Sequence, residues 1–280
     1  MREIVAKKIT ETVKKLCIEA NTNLSEDVLE ALNKALSKEE SPTGREILRQ
    51  LINNAKIAWR DKLALCQDTG TAIVFIELGQ DVRIIEGLLP EAVNEGVSRG
   101  YHQGYLRKSM VRDPLTRKNT GDNTPAIIHT EIVPGENIKI KVLTKGGGAE
   151  NCSVIKMFKP SSLPAEIEDF IIETVEKAGP NACPPVIVGV GIGGTFDYVA
   201  TLAKKALLRQ VGMHNSAHDT AKWEKEILEK INKTGIGPMG LGGRTTALAV
   251  NIEKYPCHIS SLPVAVNIQC HAHRSKEAVI

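Results

Sequence analysis

Aromatic side chains are scarce in this chain of 280 residues: four Phe, four Tyr and two Trp, or 4%. So few rings argue against base-stacking platforms for nucleic acid. An excess of one charge is also missing. The 36 Lys and Arg are scattered among 33 Asp and Glu, and a net charge of +3 gives no footprint for nucleic acid or an anionic membrane. No apolar run is long enough to span a bilayer. The opening "MREIVAKKITETVKKLCIEA" mixes charges from the start and lacks the apolar core of a signal peptide. Together these absences predict a cytoplasmic protein. The six cysteines contain no CxxC pair, so local zinc spacing is absent, and a reducing compartment argues against a disulfide framework.

What is present is an ordinary soluble core, with 42% apolar and 25% charged residues. The first 62 residues or so read as helical. Ile4, Ile9, Val13 and Leu16 recur at helical spacing. Asn23 or Ser25 can cap a second helix, the stretch Ser41 to Gly44 breaks it, and "REILRQLINNAKIAWRDK" forms a third. Thr71 to Leu78 reads as a buried strand and Leu88 to Arg99 as a helix. Residues 105–125 make a long basic connector of the kind that is often functional. Residues 126–133 and 137–144 read as a hairpin about Pro134-Gly135. Further helices are predicted at 164–178, Asp197 to Gln210 and Thr220 to Ile231. Strands are predicted after Cys183, in "TALAVNIEKY" and in "LPVAVNIQC". The pattern is α/β or α+β: a mixed sheet with flanking helices, in one domain over 1–280, with loops of unusual composition at strand ends.

Those loops carry the chemistry. "LALCQDTGTAIVF" interrupts an apolar run with Cys66, Gln67 and Asp68, more than a turn requires. Cys183 precedes two prolines and a buried strand, and Cys270 ends an apolar strand. Three separated thiolates can meet in a fold and bind a soft metal; buried inert thiols are the plain alternative. Cys17 fits a helix core, and Cys152 and Cys257 border loops. In "CHAHR", His271 and His273 would share one face of a strand, which opens a zinc reading. Arg274 suits a carboxylate, through its paired N–H groups. Asp68 and His258 are the acid–base candidates. The glycines from Gly189 to Gly194 match a dinucleotide fingerprint, but no second strand with the expected acidic residue follows. A glycine cluster at a strand–helix junction also has a structural reading.

"CQDTGT" at 66–71, "KGGGAEN" at 145–151, "NACPP" at 181–185 with "GIGGT" at 191–195, and the closing C-x-A-x-R at 270–274 together resemble the iron–sulfur hydro-lyases. These are the class I fumarases and L-tartrate dehydratases. The resemblance runs from the N-terminal helices to the last residues, and covers the N-terminal part of the single-chain enzymes. It implies a [4Fe–4S] cluster on Cys66, Cys183 and Cys270, with a fourth iron left open as a Lewis acid. It implies substrate contacts from Gln67, Asp68, Arg107 and the backbone at Gly147, with Asp68 and His258 as a proton relay and Arg274 as local support. The expected activity is reversible hydration of fumarate to L-malate, with dehydration of L-tartrate as the alternative. The expected form is an α subunit needing a separate β subunit, as an α2β2 assembly. An NAD-dependent oxidoreductase and a zinc-binding module are the readings from other classes.

Overall fold

The computed structural model describes residues 1–280. In chain order the elements are β1 (Arg2–Val5), α1 (Ala6–Thr22), α2 (Glu26–Lys38), α3 (Pro42–Asp61), β2 (Thr71–Gly79), β3 (Val82–Ile85), α4 (Leu89–Gln103), β4 (Ile127–Val133) and β5 (Ile138–Lys145). There follow α5 (Gly147–Asn151), β6 (Val154–Phe158), α6 (Pro164–Ala178), β7 (Val186–Gly193), α7 (Phe196–Ala206), α8 (His218–Lys233), β8 (Ala247–Tyr255), β9 (Leu262–Gln269) and β10 (Ser275–Val279). The mixed helices and sheets are those of the expected α/β class. They group into two compact units. The first comprises Met1–Ser25, Ala55–Gly147 and Arg274–Ile280; the second comprises Glu26–Asn54 and Gly148–His273. Both are built from discontinuous segments, so no compositional linker marks either of them in the sequence.

In the first unit, α1 buries Ile9, Val13, Leu16, Cys17 and Ala20 along one face. Ile4, read as part of that helix, lies instead in β1, which pairs in parallel with β3. The main sheet has the order β10-β5-β2-β4. β5 runs antiparallel to both β10 and β2, while β4 is parallel to β2. The expected hairpin of β4 and β5 does not form, because β2 lies between them. The burial pattern gives the reason. Ala72 to Ile76 are buried without interruption, as a central strand requires, whereas β4 is half-buried or exposed throughout and takes the edge. Helix α4 sits against α1 at its glycines: a Cβ at Gly96 would lie 2.7 Å from the Thr10 carbonyl oxygen. Its last turn carries Tyr101 into the core.

In the second unit, α3 starts at Pro42, inside the stretch read as a break. Ser41 caps it, its Oγ accepting the Gly44 N–H at 3.1 Å, and proline suits a first helical position that needs no N–H. The sheet order is β6-β9-β7-β8, with β7 parallel to β8 and antiparallel to β9. Helices α6 and α8 cover one face through Ile167, Ile171, Val175, Ile227 and Ile231. The other face of β7 meets α7 at very close range. A Cβ at Gly189 would fall 2.2 Å from the Ala203 carbonyl oxygen, and one at Gly191 would fall 2.3 Å from that of Val199. The fingerprint-like glycines therefore seat a helix on a sheet, and α7 is followed by α8 with no strand between them.

Candidate active site

In the first unit the "CQDTGT" loop leaves α3 and enters β2. Its start is tied to α1 by the Leu65 N–H donating to the Asn21 carbonyl at 2.8 Å. Cys66 is half-buried and Gln67 exposed, with the thiol 3.5 Å from the amide oxygen of Gln67. Asp68 is gripped at both oxygens: Oδ1 accepts the Gly70 N–H at 3.0 Å and Oδ2 accepts the Gly147 N–H at 2.8 Å. Gly70 has φ +74°, and a Cβ there would lie 2.6 Å from the Lys145 carbonyl, so this turn admits only glycine. The buried Arg274 guanidinium donates to the Asp68 carbonyl and lies beside Gly146. Three motifs far apart in sequence, around Asp68, Gly147 and Arg274, thus form one knot.

The long 105–125 connector is fastened to the same loop. Thr69 donates its hydroxyl to the Arg107 carbonyl at 2.8 Å. Asn123, fully buried, donates to the Gly70 carbonyl at 3.1 Å and accepts the Ser109 N–H at 2.6 Å. The Tyr101 hydroxyl lies 2.8 Å from the Thr69 carbonyl and 2.9 Å from that of Gly70, and burial pushes the pKa of this phenol up. The backbone at Arg107 is therefore fixed, while its side chain stays exposed beside a loop carrying an amide and a carboxylate. Tyr101 and Asn123 escaped the sequence reading. Asn123 has φ +65°, and the turn-forming "TGDNTP" around it was the available signal.

In the second unit, Cys183 and Cys270 come to the same end of one strand pair. Ile187 of β7 is in register with Gln269 of β9, and these strands are antiparallel. His271 reinforces the approach, its Nδ1 lying 3.0 Å from the Cys183 carbonyl oxygen. Cys183 adopts φ +52° and its N–H donates to the Pro180 carbonyl at 3.0 Å. Gly148 lets α5 approach this loop: a Cβ there would be 3.1 Å from the Asn181 carbonyl oxygen. Residues 271–272 form a bend and 273–274 are irregular, so the shared-face argument for His271 and His273 as strand residues does not hold. His258 sits elsewhere. It is exposed between β8 and β9, its Nδ1 accepting the Ser260 N–H at 3.1 Å. The length of β9, roughly 25 Å at the usual rise per residue, separates it from Cys270.

The thiols differ in character. Cys17 is buried in α1, where desolvation pushes its pKa up to about 12. Cys66, Cys183 and Cys270 are half-buried and outside any disulfide, which suits them as donors to soft iron. Cys152 contacts the Gly148 carbonyl and Cys257 that of Ser261. No three His, Cys, Asp or Glu side chains gather as one metal ion would need. A four-iron cluster makes a different demand, since each thiolate is bound to its own iron. Thiols are the donor type that such a cluster takes. No helix is long and apolar enough to cross a membrane.

The model of the fumarate hydratase (Fumerase) family matches residues 10–279. The chain belongs to this family. As a member of the Fumerase family it is a hydro-lyase. It is 45% identical over 273 residues to a Methanocaldococcus jannaschii protein named "Putative L(+)-tartrate dehydratase subunit alpha", with 95% of each chain covered. It is 32% identical over 270 residues to the L(+)-tartrate dehydratase subunit alpha of Escherichia coli strain UTI89, with 95% of this chain and 89% of that one covered. The Fumerase match spans the glycines of β7 and gives no support to the dinucleotide reading.

Proposed function

We propose that this chain is the α subunit of a two-subunit iron–sulfur hydro-lyase that hydrates fumarate reversibly to L-malate in the cytoplasm. In this reading Cys66, Cys183 and Cys270 hold a [4Fe–4S] cluster. The observation that carries it is the knot of Asp68, Gly147 and Arg274, which fixes a carboxylate beside the exposed Gln67 and the tethered Arg107. When bound, the cluster would supply a Lewis-acidic iron that makes the departing hydroxyl a better leaving group.

The chain's own residues would do the rest. The Arg107 guanidinium pairs with a substrate carboxylate and counters the negative charge that grows on it as the neighbouring C–H proton is removed. Gln67 offers an amide beside Cys66, and the bare backbone at Gly147 allows close approach. Asp68 keeps free lone pairs on both oxygens beyond the two N–H groups they accept, so it can hold a proton at this point. His258 is not assigned to the same proton step, because β9 separates it from Cys270.

Both relatives are named as alpha subunits, which supports a separate β subunit that completes the carboxylate site, in an α2β2 assembly. Their names also carry a second reading, dehydration of L-tartrate to oxaloacetate. The test is anaerobic reconstitution of the chain with iron and sulfide, EPR after mild oxidation, and assays with fumarate, L-malate and L-tartrate, each with and without the β subunit. The expected outcome is a [3Fe–4S]+ signal lost on adding ferrous iron under reducing conditions, with turnover only in the complex. Absence of the signal sinks the cluster, and full activity of the isolated chain sinks the partner. Turnover of tartrate in preference to malate replaces the first substrate with the second.

A further inference from the structure

Glu39 is 2% exposed, yet it is a carboxylate at the end of α2, a place where a surface residue would be usual. Its partners are backbone N–H groups. Oε1 accepts from Glu40 and Ser41, each at 3.1 Å, and from Arg244 at 3.0 Å. Oε2 accepts from Arg244 at 2.9 Å and Thr245 at 3.2 Å. Four main-chain donors thus satisfy a buried anion, and two of them lie some two hundred residues further along the chain. Glycines make room for it. A Cβ at Gly243 would fall 2.9 Å from both carboxylate oxygens, and one at Gly44 would fall 3.0 Å from Cδ.

The segment that Glu39 holds, 239–246, braces the Cys183 loop from both sides. Gly240 packs on Pro180, where a Cβ would come within 2.6 Å of the proline ring. The Met239 N–H donates to the Pro184 carbonyl at 2.7 Å, and the Thr246 carbonyl accepts the Val186 N–H at 2.9 Å. Residues before and after Cys183 are therefore fixed by a segment whose far end is anchored on Glu39. We propose that Glu39 is a positioning residue for Cys183, acting through the 239–246 segment. Charge matters here: a carboxylate accepts at both oxygens, whereas an amide would turn a donor towards Arg244 and Thr245 or towards Glu40 and Ser41.

The inference rests on the reading of Cys183 as a cluster ligand, and its test needs no cluster. The full-length chain, before reconstitution, is treated with iodoacetamide, and the modification rate of each cysteine is read by peptide mass spectrometry. Glu39→Gln should speed modification of Cys183 about tenfold, the change that loss of ~1.4 kcal/mol of local stability gives, and leave Cys66 and Cys270 unchanged. Glu224→Gln is the control for general destabilisation. It breaks another buried network of this unit, where Glu224 pairs with Arg209, and should alter no cysteine selectively when compared at equal distance below its melting temperature. Gly243→Ala, which presses on the same carboxylate, should reproduce the selective effect if Glu39→Gln fails to fold. Unchanged Cys183, or equal acceleration at all three cysteines, overturns the proposal. Failure of the unmutated chain to take up iron would overturn the cluster reading instead and leave the thiol result standing.

Discussion

Arg274 donates a hydrogen bond to the carbonyl of Asp68, 206 residues earlier in the chain. The guanidinium is almost wholly buried and also lies against Gly146, so one side chain braces the loops on either side of the Asp68 carboxylate.

Replacing Arg274 by lysine keeps the charge and removes the planar fork. We expect a loss of ~2 kcal/mol in urea denaturation, the magnitude of a hydrogen bond from a charged donor. Displacement of Asp68 should also lower kcat by about a hundredfold. Wild-type kcat in Arg274→Lys would show that the knot does not position the carboxylate.

Arg107 separates binding from stability. Its carbonyl is held by Thr69 while its side chain is exposed. Arg107→Ala should therefore leave the melting temperature unchanged and lower kcat/KM for the dicarboxylate by about ten- to a hundredfold, as loss of a charge-assisted contact implies. A fall in melting temperature with unchanged kinetics would make this arginine structural.

Gly191 tests what the glycines of β7 are for. A Cβ at this position would press on the Val199 carbonyl oxygen at 2.3 Å. Gly191→Ala should destabilise the chain by about 1–3 kcal/mol through overpacking. Titration with NAD should show no saturable binding before or after the change; saturable binding abolished by the alanine would restore the dinucleotide reading.

Cys17 contributes to pH dependence with a definite sign. Its folded pKa of about 12 lies above the ordinary thiol value of 9.0, so the folded chain keeps a proton that the unfolded chain releases. Its contribution to stability is complete below pH ~9 and is lost as pH rises towards ~12. Denaturation between these values should show a smaller decline in Cys17→Ala than in the unmutated chain. An identical decline in the two would remove Cys17 as the source.

Much of the fold is legible in the sequence, and the exceptions have physical causes. Helices α1, α4, α6 and α8 were readable because their apolar spacing is set by one buried face each. The sequence suggests a pairing of β4 with β5 that the sheet does not contain, because hairpin signals are local. The strand that separates them, β2, is recruited by burial on both faces, which depends on the rest of the sheet. Strands β1, β3, β6 and β10 are short, and mostly half-buried or exposed, and so left little pattern. At the site, the residue types of "CQDTGT" announced themselves. Asn123, Tyr101 and Glu39 did not, since each matters through main-chain groups whose positions only the fold determines.

The second unit's residues 148–273 are inserted between β5 and β10, two neighbouring strands of the first unit's sheet. During synthesis, β5 leaves the ribosome long before β10 exists. Its edge must then wait, unpaired, while some 126 residues are made. If the inserted segment folds first, its ends are drawn together, and much of the entropy of closing so long a loop is removed before Ser275 meets Leu143. Asp68 and Gly147 precede the insertion and Arg274 follows it. The carboxylate of Asp68 can therefore meet its two N–H donors before the insertion is made, whereas its carbonyl can meet Arg274 only afterwards.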